Sequence, residues 1–180
     1  VYKRQGGMYG LTDTITLMAM VNYTRNDMDH ITYNMAGNAQ VGRFSTQSEG
    51  FGDTQLSALI PLWTNGRNSL NGSIGLSLPT GSINEEDTVL TPMGTRPLLR
   101  LPYTMQLGSG TYDLMPGLTY SGYTKEWGYG ASYTGRIHMG RNNAGYTRGD
   151  WHQIQGWAGY KITSNIGVTG SITAKTCLLY

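Results

Sequence analysis

Asp13–Arg25 reads DTITLMAMVNYTR. Ile15, Leu17, Ala19, Val21 and Tyr23 fall at every second position, with Thr14, Thr16, Met18, Met20 and Asn22 between them. Successive side chains of a strand point to opposite faces, so this stretch is a strand with one apolar face and one more polar face. Six further segments keep the same period: Gly52–Trp63, Ser69–Ile83, Thr111–Thr124, Gly128–Gly140, Tyr146–Ile162 and Ile166–Lys175. No segment of comparable length keeps a helical period with caps. The pattern predicts an all-β, antiparallel chain with about seven strands.

The connections between these strands alternate in length. Those around Thr64–Asn68, Thr124–Trp127 and Thr163–Asn165 are short and built from turn formers. Those at Asn26–Glu49, Asn84–Gly110 and Arg141–Gly145 lie at the opposite end, and two of them are long. Short turns on one rim and long loops on the other are how outer-membrane β-barrels are built, and each segment reaches the ~9–11 residues a strand needs to cross a bilayer. Aromatic residues gather near the strand ends, Trp63, Trp127 and Tyr160 on one rim and Tyr23, Phe51 and Trp151 on the other, as the two interfaces of a membrane require. Phe51 and Trp63 share parity with Asp53, so without a bulge they would point inward.

Composition supports the same reading. Charged residues make up 13% of the chain, about half the usual share. Mean hydropathy is −0.35, and no apolar run approaches the ~20 residues of a transmembrane helix. A barrel wall alternates apolar and polar side chains and averages to mild polarity. The alternative is a soluble β-sandwich or a lipocalin-like binding protein, whose strands also alternate. Its polar face would carry many Lys and Glu, whereas these strands carry Thr, Ser, Gly, Asn and Gln. An exposed, continuous Leu/Ile/Val band would separate the two.

The terminal strings are read differently. VYKRQ at residues 1–5 and CLLY at residues 177–180 look like translations of the two strands of a sequencing adapter, which leaves residues 6–176 as a β-barrel fragment. Without them the 13 basic residues fall to 11 against 11 acidic ones, and the chain has no cysteine. Tyr180 is then not an aromatic C-terminal barrel signal. Seven strands is an odd number with two unpaired edges, so this reading expects further strands in the intact barrel, and a chain that does not enter liposomes alone.

Several strings carry a family resemblance: YGLTDTITL at Tyr9–Leu17, GFGDTQLSALIPLW at Gly50–Trp63, GSIGLSLPTGS at Gly72–Ser82, LGSGTYDLMPGLTYSG at Leu107–Gly122 and MGRNNAGYTRGDWHQIQGWAGYKIT at Met139–Thr163. In this order they resemble the bacterial outer-membrane transporter family associated with the meta-cleavage (MetA) pathway of phenol degradation, related in architecture to long-chain fatty-acid transporters. The resemblance implies a transmembrane β-barrel in the bacterial outer membrane that passes small, hydrophobic or aromatic molecules without a cofactor. Its surroundings would be outer-membrane lipid, lipopolysaccharide and, during insertion, the barrel-assembly machinery. A structural or adhesive barrel without transport is the alternative within that class. The motifs themselves read as turn chemistry: Gly10 free for positive φ, Asp13 bonding the turn backbone, and Pro79-Thr80-Gly81 ending a strand.

The candidate path-lining residues are Asp53, Gln55, Arg136, His138, Gln155 and Lys161, which with Lys175 have the parity of the polar face. They either tune permeation or pair with one another inside a narrow interior. Asn26, Asp27, Asp29 and His30 offer hard cation ligands, as do Glu85, Glu86 and Asp87, but neither group has calcium-loop spacing. No metal or nucleic-acid site is expected. Catalysis would have to recruit Ser132 with His138, Asp150 or His152. Ser132 and His138 lie six residues apart on one strand, about 20 Å, too far for a dyad, so no catalytic residue is assigned. The Leu-, Pro- and Met-rich segment Val89–Met105 either covers a barrel mouth or packs on neighbouring loops.

Overall fold

The alternating segments become one antiparallel sheet in the computed structural model, which describes residues 2–178. Val1, Leu179 and Tyr180, the outer parts of the two terminal strings, lie outside the described residues. The strands are β1 (Tyr2–Gly10), β2 (Thr16–Tyr33), β3 (Gln40–Phe51), β4 (Thr54–Asn65), β5 (Asn68–Leu78), β6 (Glu86–Thr88), β7 (Leu98–Arg100), β8 (Tyr112–Tyr123), β9 (Trp127–Met139), β10 (Trp151–Lys161) and β11 (Gly167–Cys177). Their order is β1-β2-β4-β5-β8-β9-β10-β11, with β3 on β2, while β6 and β7 pair separately.

Four strands lie outside the expected seven: β1, β3 and the three-residue β6 and β7. β1 runs through the stretch set aside at the chain start, where Gly6, Gly7 and Gly10 erase any alternation. β2 and β3 extend through most of the link expected to be a loop at Asn26–Glu49, turning only at Asn34–Ala39. This extension is polar on both faces and has no apolar period. Cross-strand contacts hold it instead: Asn26 Nδ2 to Ser48 Oγ at 3.4 Å, His30 Nε2 with Thr46 Oγ1 at 3.0 Å, and the His30 ring stacked on Phe44 at 4.7 Å.

A β-bulge resolves the parity conflict at Phe51. Tyr23 lies opposite Phe51 and Met20 opposite Gln55, so Val21 and Asn22 on β2 face Gly52, Asp53 and Thr54. The extra residue reverses the facing of the strand. Phe51 is 66% exposed and Asp53 5%.

The chain divides into two compact units. The wall unit comprises Gly6–Met20, Gln55–Leu78 and Thr111–Tyr180; the loop unit comprises Val1–Gln5, Val21–Thr54 and Pro79–Gly110. Among the described residues, the four buried hydrophobic ones, Ile83, Leu90, Leu101 and Met105, belong to the loop unit. Among the described residues of the wall, Ser77, Thr111, Asp113, Asn142 and Asp150 are buried, as is the His138 side chain, while Leu17, Leu56, Ile74, Leu118, Ile154 and Ile172 are exposed. A soluble sandwich buries its apolar face between sheets; this wall does the reverse.

Two of the short turns share one construction. Leu11 and Thr12 amides donate to the Ile15 carbonyl, and Ile162 and Thr163 amides donate to that of Ile166. The Thr12 hydroxyl accepts from Thr14 and Ile15, and the Thr163 hydroxyl from Asn165 and Ile166. Thr12 therefore does what was expected of Asp13, because a β-hydroxyl one residue earlier meets both amides. Gly10 takes an ordinary negative φ; the positive-φ glycine at a short turn is Gly66.

Candidate functional site

Register lines up the polar face of the wall in rows. Ser77 on β5 is opposite Asp113 on β8, and Asp113 opposite His138 on β9. These three carry an ionic cluster. Asp113 is fully buried; its Oδ1 accepts from the Thr111 hydroxyl at 2.7 Å and its Oδ2 lies 3.3 Å from Arg136 Nε. Arg136 also donates to Ser77 Oγ at 2.8 Å. The His138 side chain, 3% exposed, sits between two carboxylates, Nε2 at 3.8 Å from Asp113 Oδ2 and Nδ1 at 3.4 Å from Asp150 Oδ1. Asp150 Oδ1 further accepts the His138 amide at 2.7 Å, which ties the β9–β10 link back onto β9.

Thus Arg136 and His138 come together as expected from parity, and they do so around Asp113 and Asp150, which sequence spacing did not connect. Asp113 had the right parity; Asp150 arrives from the link after Gly140, and nothing local signals where it folds back. The other candidates lie apart. Gln155 is half-buried between Ser132 and Thr173, Lys161 is exposed opposite Gly167, and Gln55 pairs with Met20. Lys175 lies over the Trp151 ring at 4.5 Å. His152 bonds the Tyr133 hydroxyl at 2.8 Å and has the parity of the apolar face, opposite to His138. Both hydroxyls in the cluster, Ser77 and Thr111, are already engaged.

Asp53 belongs to the loop unit, where its carboxylate joins both ends of the longest link. Oδ1 accepts the Gly81 amide at 3.1 Å; Oδ2 accepts the Ser109 amide at 2.8 Å and hydroxyl at 2.9 Å. Thr80 completes the junction, its Oγ1 accepting the Thr54 amide at 2.8 Å. The three strings GFGD, PTGS and LGSG thus meet at one carboxylate. A Cβ on Gly108 would land on the Gly81 carbonyl oxygen and on Asp53 Oδ1. Gly108→Ala is therefore expected to destabilise this junction by about 1–3 kcal/mol, the usual cost of overpacking. Hydrogen exchange of the Gly81 and Ser109 amides checks this, with Gly7→Ala, where nothing lies within 4 Å, as the silent control.

The Val89–Met105 segment packs within the loop unit. The Thr32 hydroxyl donates to the Leu90 carbonyl at 2.8 Å and the Ser48 hydroxyl to that of Met105 at 2.5 Å, while Asp87 Oδ2 accepts the Gln47 amide at 2.8 Å. Gln106 bonds the Glu85 amide and carbonyl and the Leu101 carbonyl. Two of the acidic residues considered for a cation are used locally: Asp27 by Arg25, Asp87 by Gln47 and Thr88. No group of three or more His, Cys, Asp or Glu suited to a metal gathers among the described residues.

An antiparallel wall with exposed apolar side chains on one face and hydroxyls, amides and a buried ionic cluster on the other defines a class, the outer-membrane type of β-barrel fold. Comparison with solved structures agrees. The chain is similar to an outer membrane channel from Pseudomonas putida, known from its crystal structure, with a TM-score of 0.60 and 16% identity over 97% of this chain and 59% of that one. The likeness is one of fold, and the chain spans less than two thirds of that channel's length. No family model and no curated protein matches the chain.

Proposed function

We propose that this chain forms part of the wall of an outer-membrane β-barrel channel through which small molecules pass passively, with no covalent step. The observation that carries this is the inverted burial of the wall: its apolar side chains are exposed and its buried ones are polar. In water such a face would have to be covered; in a bilayer it meets acyl chains. The fold of the Pseudomonas putida channel supports the same reading.

Two measurements test it. The full-length protein, extracted from outer membranes and reconstituted in planar bilayers, is expected to give discrete current steps; silent bilayers with verified insertion would refute transport and favour a structural barrel. Leu118 lies on the central strand β8 and is 44% exposed. Leu118→Arg is expected to cost about 2–4 kcal/mol in vesicles if the residue is near the midplane. In a soluble sandwich the same exposed site would shift stability by no more than about 0.5 kcal/mol.

A further inference from the structure

Arg136 and His138 are set against the carboxylates of Asp113 and Asp150, and two levels from Arg136 towards the short turns lies a neutral row. Asn71 on β5 is opposite Thr119 on β8, Thr119 opposite Ser132 on β9, Ser132 opposite Gln155 on β10, and Gln155 opposite Thr173 on β11. Five adjacent strands thus place five uncharged hydrogen-bonding side chains at one level, a track of about 19 Å at the usual strand spacing. None of the five has a side-chain hydrogen-bond partner among the described residues, and the four on β5, β8, β9 and β10 are half-buried while Thr173 is exposed.

The neighbouring levels differ from it in charge or in pairing: the next one on the loop side, Ser73, Thr134 and Gln153, is likewise without side-chain hydrogen bonds among the described residues but carries the charge of Lys175. One level towards the short turns, the Ser69 and Ser121 hydroxyls bond each other at 2.9 Å. On the loop side the charged groups are taken: Lys175 by the Trp151 ring, Arg136 by Asp113 and Ser77, His138 by two carboxylates. Trp157, opposite Gly130 and Ser171, supplies a flat apolar surface beside the row, because Gly130 leaves no side chain beneath its ring.

We infer that the row Asn71–Thr119–Ser132–Gln155–Thr173 is a recognition track for uncharged, multiply hydroxylated solutes, polyols and sugars, with Trp157 as its stacking platform. The inference rests on the channel reading above. Hydroxyls and amides donate and accept alike, so a solute carrying several hydroxyls can exchange its water for the row one group at a time. An ion gains no opposite charge from these five side chains and loses hydration, which disfavours it.

The test is swelling of liposomes containing the full-length protein, with glucose, the anion gluconate and the cation glucosamine as size-matched probes. Glucose is expected to enter fastest. Gln155→Leu should lower the glucose-to-gluconate ratio about 3-fold, the worth of one neutral hydrogen bond, and the isosteric Thr119→Val should move it in the same direction. Equal rates for the three probes, or an unchanged ratio in both variants, would overturn the track while ionic current shows the channel intact. Absence of both swelling and current would overturn the channel reading and the track with it.

Discussion

Asp53→Ala is expected to open the link between β5 and β8 to protease. The Asp53 carboxylate is the common acceptor for Gly81 at one end of that link and Ser109 at the other. Its loss leaves two buried amides without an acceptor, each costing about 1–3 kcal/mol, and nothing nearby can replace it because Gly81 and Gly108 are in backbone contact. The link holds two arginines, Arg96 and Arg100. Arg96 precedes Pro97, which blocks trypsin, so cleavage reports on the Arg100–Leu101 bond alone. In the parent protein Arg100 is held by the Ile83 carbonyl and Leu101 is 3% exposed. Cleavage there follows the population of the opened form, so a local loss of roughly 3 kcal/mol raises its rate on the order of a hundredfold. Asp53→Asn should fall between, since an amide keeps one acceptor oxygen but turns a donor toward the other amide. If Arg100–Leu101 stays as resistant in Asp53→Ala as in the parent, Asp53 does not anchor the link.

The same residue marks the limit of what the sequence discloses. Alternation alone locates β2, β4, β5, β8, β9, β10 and β11, because each has one face toward an apolar medium and one toward a polar one. It fails for β3, whose own sequence has no apolar alternation, and for β6 and β7, which are three residues each. The parity conflict between Phe51 and Asp53 was the visible trace of the bulge, but its purpose was not legible. That depends on Gly81 and Ser109, 28 and 56 residues away. For the ionic cluster, parity gives the inward side of Arg136 and His138. Their partners follow from register across β5, β8 and β9 and from the fold-back of Asp150, neither of which is written in local sequence. Gln155 has the same history: its parity is plain, and the row it completes emerges only when five registers are laid side by side.

Arg136→Met is expected to be the most damaging single change in the wall. Asp113 is fully buried, and Arg136 is the cation closest to its Oδ2; His138 stands farther off at 3.8 Å. Removing one member of a buried ion pair costs about 3–5 kcal/mol because the other charge stays behind unpaired. Replacing both can be close to neutral, so Arg136→Met combined with Asp113→Leu should recover most of the loss. Urea unfolding followed by tryptophan fluorescence reads this, and the two single variants with the double variant close a cycle that isolates the pair. The same change tests whether the cluster keeps the polar face neutral. With Arg136 gone, Asp113 adds one uncompensated negative charge, and the reversal potential across a salt gradient should shift toward cation preference, a shift absent in the double variant. A destabilised but electrically unchanged Arg136→Met would confine the cluster to holding β5, β8 and β9 together. No change in either quantity would mean that Arg136 does not compensate Asp113 at all.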